Sequence, residues 1–413
     1  MVRDVLEQTE TYLTKRLLPF WIERAPDPIL GGFQTNYDRH GRRTAVTEKT
    51  LLCQARCLVT LAHAVRLGWQ WAGWEDTLRQ GTEFLERAFR DPDHDGYVWV
   101  TEADGGWKDE RKVMYGHAFL IYAYSEVALT LRSDEYRQRA CDLFDLIAAR
   151  AADLHHGGFF EHFTRDWALE AVRPDGIVHK SLDVHMHLME AFTTLTELTG
   201  RPRHRQALGQ VTDLIFSAMI DPPTGTGISM FAADWTPVPN MQLGTLWGSD
   251  RFDPSGKPPE MTSYGHNIEL AWLYLHSLTI LGRDRHQGLK RAVPIFEHTL
   301  AHGVDRECGG LYTEGDRRRG ATETNKEFWQ QAEALVGFLD AYELTRDKRY
   351  WDAFLNIHTF VFRHMINWEQ GEWFPLLARD GAVLWDYMGH NWKICYHTIR
   401  SMCETIVRLR RLA

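Results

Sequence analysis

Six short segments of this chain share one pattern: glycine, then aromatic or β-type residues, then an acidic or glycine turn. They are GGFQTNYDRHG (31–41), DGYVWVTEADG (95–105), GGFFEHFTRDW (157–167), GTGISMFAADW (225–235), GGLYTEGDRR (309–318) and GEWFPLLARDG (371–381). Marked by Gly32, Gly96, Gly158, Gly227, Gly310 and Gly371, the copies are 64, 62, 69, 83 and 61 residues apart. Recurrence at a near-constant spacing means one supersecondary unit used repeatedly. Each copy reads as a two-stranded ribbon around a tight turn.

Apolar residues at i, i+3, i+4 and i+7 predict helices between the ribbons. They span 2–24, 47–67, 75–90, 112–132, 135–153, 181–199, 204–219, 262–281, 285–302, 326–345, 348–367 and 394–412. Twelve helices and six ribbons make six helix hairpins. An open stack would need polar capping units at its ends, and neither end has one. The expectation is an all-α (α/α)6 toroid with short β-ribbons in its connections. Six inner helices would surround a cavity, six outer helices would cover them, and residues 1–413 would form one domain.

The even-numbered helices begin with polar and aromatic residues and then turn apolar, as in VMYGHAFLIYAYSEV and SYGHNIELAWLYLHS. A helix packed on all sides should be apolar all round, so polar residues at its start point to a shared cavity. Spacings of three and four put side chains on one helix face. That criterion selects Arg56, Tyr115, Asp183 with His187, His266 with Glu269, Trp329 with Glu333, and His397 with Arg400, with Trp392 just before the last pair. Each has a structural alternative: a satisfied core histidine, a carboxylate bonded to backbone, a tryptophan in the core. Their recurrence at one place in repeated units favours a small-molecule site.

Several function classes lack support. The net charge is -9 with Lys and Arg scattered, which argues against nucleic acid or an anionic membrane as partner. The basic run 408–413 suits a helix C-terminus. Six cysteines form no CxxC pair, and the N-terminus has no apolar h-region, so a cytoplasmic protein is expected. HMH at 185–187 places its histidines in divergent directions on a helix, no HExxH occurs, and no metal is expected. GxGxxG, GxxxxGK[ST] and GxSxG motifs are missing as well.

The inner-helix motifs resemble those of the N-acylglucosamine 2-epimerase and cellobiose 2-epimerase superfamily, which also holds mannose 2-epimerases and aldose–ketose isomerases. YGHNIELAW is similar to its YGHDIEASW segment, QQAEALVGFLDAY to WPQAEALVGF, WKICYH with Arg400 to WK-x-x-YHN-x-R, and DVHMHLMEA to NTHLHVLEA. QARCLVTLAHA matches the stretch carrying the substrate-binding arginine. The resemblance spans nearly the whole chain and implies an (α/α)6 barrel. It implies that His266 and His397 form an acid/base pair at the sugar's C1–C2 region and that His187 assists ring opening or holds a sugar oxygen. Arg56 would contact oxygens near the reacting carbons, Glu269 would orient His266, and Trp329 and Trp392 would flank the sugar. Three positions depart from the cellobiose-epimerase pattern: Asp183 for asparagine, Phe328 for the first tryptophan of a pair, and HTIR for HNxR. They bear on disaccharide specificity, since a second ring needs its own stacking surface.

Inverting C2 of an aldose requires ring opening, loss of the C2 proton to an enediolate, and return of a proton to the other face. Delivery to C1 instead gives the ketose. Imidazoles with pKa near 6.5 can take and return that proton, and Arg56 can stabilise the oxyanion. The expectation is a cofactor-independent 2-epimerase for mannose/glucose-type sugars. A mannose-to-fructose isomerase and a cellobiose epimerase are the nearest alternatives. An (α/α)6 glycoside hydrolase using Asp183, Glu269 or Glu333 comes from a different class. Substrate subsites are expected to depend on the long segment 234–260, read as a lid or an oligomer contact, and a homodimer is one arrangement open to the chain.

Overall fold

The computed structural model describes residues 2–242 and 253–413, so the middle of the 234–260 segment lies outside the described residues. Among these residues are twelve helices. The outer set is α1 (Val2–Tyr12, continuing through the π turn Leu13–Leu17 to Leu18–Arg24), α3 (Trp74–Ala88), α5 (Asp134–Arg150), α7 (Pro202–Ala218), α9 (Arg285–His298) and α11 (Lys348–Phe360). The inner set is α2 (Leu51–Arg66), α4 (Met114–Leu131), α6 (Leu182–Thr199), α8 (Tyr264–Leu281), α10 (Phe328–Thr345) and α12 (Cys395–Leu412). Each inner helix packs on the next, and α12 packs back on α2, which closes the (α/α)6 ring. Position in the ring explains composition. In α4 every residue from Met114 to Ala128 is buried, whereas α3 buries only a stripe including Leu78, Leu85 and Ala88.

Six equivalent bridges tie the end of each outer helix to its ribbon: Pro26–Phe33, Arg90–Tyr97, Ala152–Phe159, Ile220–Gly227, Val304–Leu311 and Ile366–Trp373. They correct the register of two glycine markers. Gly227 occupies the position of Phe33, and Gly371 that of Gly31, so Thr226 and Glu372 stand where the other units have their marker glycine. The strand leading into each of five inner helices pairs antiparallel with the following ribbon, as Met261–Ser263 does with Glu314–Asp316. In the sixth unit Tyr37 bridges to Gly389, joining the first ribbon to the approach to α12.

These lead-in strands shift the inner helix starts by one to four residues from the sequence expectation. Thr50, Ser181 and Ser263 have extended backbone and cap α2, α6 and α8, their hydroxyls accepting from Cys53, Val184 and His266 N–H. No glycine or proline marks the change, so periodicity ran through it.

Two side chains per unit lock the ribbon. The fourth residue of the inner helix reaches the ribbon backbone: Gln54 bonds both N–H and C=O of Phe33, and Gln331 does the same for Leu311. His117 accepts from Tyr97 N–H, His185 from Phe159 N–H, and Asn267 from Gly227 N–H. A lysine two residues before the inner helix pairs with the aspartate that opens the turn: Lys49–Asp27, Lys112–Asp91, Lys180–Asp153 and Lys326–Asp305, at 2.6–3.0 Å. In the last unit Asn367 replaces that aspartate, and Lys393 pairs with Glu372 at 3.1 Å, both side chains being 0% exposed. The charge lost at one turn position reappears at another. Lys393→Met would leave the buried Glu372 without its cation and is expected to cost about 3–5 kcal/mol; an unchanged urea midpoint would contradict this.

No helix among the described residues is long and apolar enough to cross a membrane.

Candidate active site

A cavity of about 170 Å³ opens at the N-terminal ends of the inner helices. Arg56, Tyr115, Asp183, His187, His266, Glu269, Trp329, Trp392 and His397 line it. Glu333, selected with them as substrate-binding, does not. It is 0% exposed and lies beneath the cavity floor, accepting from His397 Nδ1 at 2.6 Å, Arg400 Nη2 at 2.7 Å and Trp272 Nε1 at 2.9 Å.

The repeat explains the convergence. The sixth residue of each inner helix is Arg56, Phe119, His187, Glu269, Glu333 or Arg400, and one helical register points them all toward the ring axis. Arg400 is the hub, its guanidinium donating to Glu190, to Glu269 at 3.0 Å and to Glu333. Burial and the neighbouring Glu333 push Glu269 up to about 8, so it holds its proton at neutral pH. Burial opposes the charge on Glu333, but Arg400 and His397 outweigh it and hold that carboxyl below its usual range. Three cations, Arg56, His187 and Arg400, then face three carboxylates, Asp183, Glu190 and Glu333.

The three histidines differ in state. Burial disfavours charge on His187, but Asp183 at Nε2 (3.3 Å) and Glu190 at Nδ1 (2.9 Å) outweigh it and raise its pKa to about 9. His397 goes the other way: burial lowers it to about 3, against the pull of Glu333. Its Nδ1–H donates to Glu333, which leaves Nε2 as the free base. Burial also lowers His266, partly offset by Asp183, whose Oδ1 is 3.6 Å from Nε2. His266 is the most open of the three, its side chain 30% exposed. Both neutral imidazoles contact Trp329, with ring centroids 4.7 Å (His266) and 5.6 Å (His397) away.

Arg56 is 2% exposed and boxed by the rings of Tyr115, Phe119, Trp392 and Tyr396, 4.3–5.3 Å from its guanidinium carbon. Nη2 donates to Tyr115 Oη at 2.8 Å, and Nε has no hydrogen-bond partner. Among the described residues no carboxylate comes within ion-pair distance of it. A guanidinium so placed is suited to an oxyanion.

Three sequence expectations change. Glu269 bonds Arg400, and the carboxylate beside His266 is Asp183, so the orienting role implied for Glu269 has no supporting contact. Of the three departures from the cellobiose-epimerase pattern only Asp183 faces the cavity. Phe328 is 1% exposed and packs behind His397, while Thr398 donates to Glu372 on the ribbon side. The sequence reading missed Glu190, which accepts from His187, Tyr396 and Arg400. The signal was present, because His187 and Glu190 are three apart on α6, as His266 and Glu269 are on α8.

Residues 31–401 match the family model of N-acylglucosamine 2-epimerase (GlcNAc 2-epimerase). The chain belongs to this family. Within the N-acylglucosamine 2-epimerase family it is 26% identical over 412 residues to a cellobiose 2-epimerase of Bacteroides fragilis, covering 98% of this chain and 99% of that one. It is 24% identical to a D-mannose isomerase of Marinomonas mediterranea, covering 96% and 95%. The solved structure of cellobiose 2-epimerase from Spirochaeta thermophila superposes with a TM-score of 0.88 at 30% identity, covering 100% of this chain and 98% of that one. Family members thus carry names of both epimerases and isomerases of sugars.

Proposed function

We propose that residues 1–413 work as one cytoplasmic catalytic domain, a cofactor-independent 2-epimerase of free mannose- and glucose-type hexoses. The observation that carries this reading is the pair of neutral imidazoles, His266 and His397, both in contact with Trp329 in a cavity that also presents an Arg56 guanidinium without a carboxylate partner among the described residues. In the proposed cycle His187, protonated, gives a proton to the ring oxygen while one neutral imidazole takes the proton of the C1 hydroxyl, and C1 becomes a carbonyl. The other neutral imidazole removes the C2 proton, and the first, now protonated, delivers its proton to the opposite face; ring closure returns a proton to His187 and gives the remaining one back to O1. Arg56 and Tyr115 hold the enediolate oxygens, while Trp329 and Trp392 flank the sugar. The volume supports a single hexose: about 170 Å³ is below the roughly 300–1,000 Å³ of drug-sized pockets. A second ring would have to lie toward the mouth, beside Asn240, Met241 and Lys257. A kcat/KM for mannose above that for cellobiose is the expected result, and the reverse order would reassign the substrate.

The kinship with named D-mannose isomerases favours a second reading, proton return to C1 to give fructose. Both outcomes share the enediolate. Glycoside hydrolysis is less well supported, since it needs two carboxylates flanking the bond. Of the three candidate carboxyl groups, Glu333 is sealed under the floor and Glu269 is 1% exposed and bonded to Arg400, which leaves Asp183 without a second open carboxyl group.

The pH dependence follows from His187. Its folded pKa, about 9, lies above the unfolded value, so its contribution to stability is fully present below about pH 6.5 and is lost as pH rises through 9. The proton it offers to the sugar is lost over the same range. kcat/KM is therefore expected to hold to about pH 8 and fall with a limb near 9. Asp183→Asn should move that limb down by about one unit or more; an unmoved limb would remove His187 from the reaction.

A further inference from the structure

Glu161, His162 and His179 form a cluster that the proposed chemistry does not use. The first two lie on the third ribbon, and His179 opens the strand His179–Ser181 that leads into α6. Each is 2% exposed, and one ligand-type atom from each lies within 4.8 Å of the other two. His179 Nε2 is 3.4 Å from Glu161 Oε2, and the imidazole centroids are 5.1 Å apart. Donors about 2.1 Å from a tetrahedral ion are about 3.4 Å from one another, and two imidazoles sharing it have centroids about 5 Å apart.

The second observation is unmet hydrogen bonding. Neither ring nitrogen of His162 has a partner, nor has His179 Nε2. His117 and His185 use both nitrogens, His117 bonding Val113 C=O and Tyr97 N–H and His185 bonding Ser181 C=O and Phe159 N–H, while His204 and His298 each leave one unpartnered; among the described residues His162 alone is buried with both free. Glu161 is already oriented, accepting from Ser181 N–H and Oγ–H, the kind of support metal-ligating carboxylates receive. The neighbouring cation, Arg111, pairs with Asp109. The similar grouping of Glu269, Glu333 and His397 differs decisively, because Arg400 already bonds both of its carboxylates.

We propose that Glu161, His162 and His179 bind one divalent ion of the zinc class through a carboxylate oxygen and two imidazole nitrogens. Glu161 and His179 line the cavity wall, so the remaining coordination position faces the sugar cavity, where a hydroxyl can fill it. The sequence expectation of no metal arose because these ligands come from two strands and make no helical or CxxC spacing.

Tag-free, metal-stripped protein titrated with CoCl2 is expected to take up one Co2+ per chain, with the visible bands of a tetrahedral ion. One equivalent of Zn2+ should displace it, and Tm should rise when Zn2+ is added. His162→Gln and His179→Gln should each weaken uptake at least 100-fold while the circular dichroism is unchanged. No stoichiometric uptake by the wild-type chain, as expected if a buried water fills the cluster, would overturn the proposal. Uptake that survives both substitutions would do the same. The wild-type titration needs no variant, so a variant that fails to fold leaves the test intact.

Discussion

His397→Ala is expected to lower kcat by about 10³-fold, within the range for loss of a general acid or base, while KM for the sugar changes by less than about fivefold. The reasoning rests on one nitrogen. His397 gives Nδ1–H to Glu333, so Nε2 is the only basic atom it can turn to the cavity, and burial keeps that nitrogen unprotonated far into acid. Removing the ring deletes a base without deleting a sugar contact of comparable size, since Trp329 and Trp392 remain. Glu333→Gln should fall between the variant and the wild type, because the ring stays while the partner that fixes its tautomer is weakened. Equal losses in kcat and in sugar affinity for His397→Ala would instead mean that the residue binds rather than reacts.

The largest effect on stability is expected from Arg400→Met. Arg400 is 2% exposed and donates to Glu190, Glu269 and Glu333. Without it, two buried carboxylates from two helices, Glu190 and Glu333, have no guanidinium between them, and breaking a buried charge network of this kind costs about 3–5 kcal/mol. Arg400→Lys should recover only part, because an ammonium lacks the planar fork that reaches three acceptors at once. The sign with pH is specific. Glu333 is held below its usual range in the folded chain, so the stability it brings is present above its unfolded pKa and is lost as pH falls through the folded value. Arg400→Met should therefore unfold at a lower temperature near neutral pH and show a smaller loss than the wild type on acidification. A melting temperature within about 2 °C of wild type would contradict this account, since about 3–5 kcal/mol corresponds to about 3–6 °C in a domain of this size.

The ring was legible in the sequence because the repeat is enforced locally. Gly32, Gly96, Gly158 and Gly310 all have φ between 69° and 80°, a backbone that favours glycine, so the ribbons punctuate the chain even where the helices differ. Thr226 and Glu372 break that rule, and those are the units whose markers slipped by one residue. Helix starts slipped for another reason: Lys112–Val113 and Lys326–Glu327 are short strands whose side chains continue the helical pattern. At the site, helical spacing found most pairs on a single helix, His187 with Glu190 excepted, but not what lay between helices. Asp183 beside His266, Glu333 beside His397 and Glu190 beside Arg400 are contacts across the ring, and nothing in local spacing encodes them. The same limit hid Glu161, His162 and His179, and it made Phe328 look relevant to sugar stacking when its ring packs behind His397.

The central claim is that two neutral imidazoles move a proton at C2 of an unactivated free sugar. It is tested most directly by incubating the protein with mannose in D2O and following the products by NMR. The account predicts glucose carrying deuterium at C2. Glucose that keeps the original C2 hydrogen, or fructose as the sole product, would contradict it.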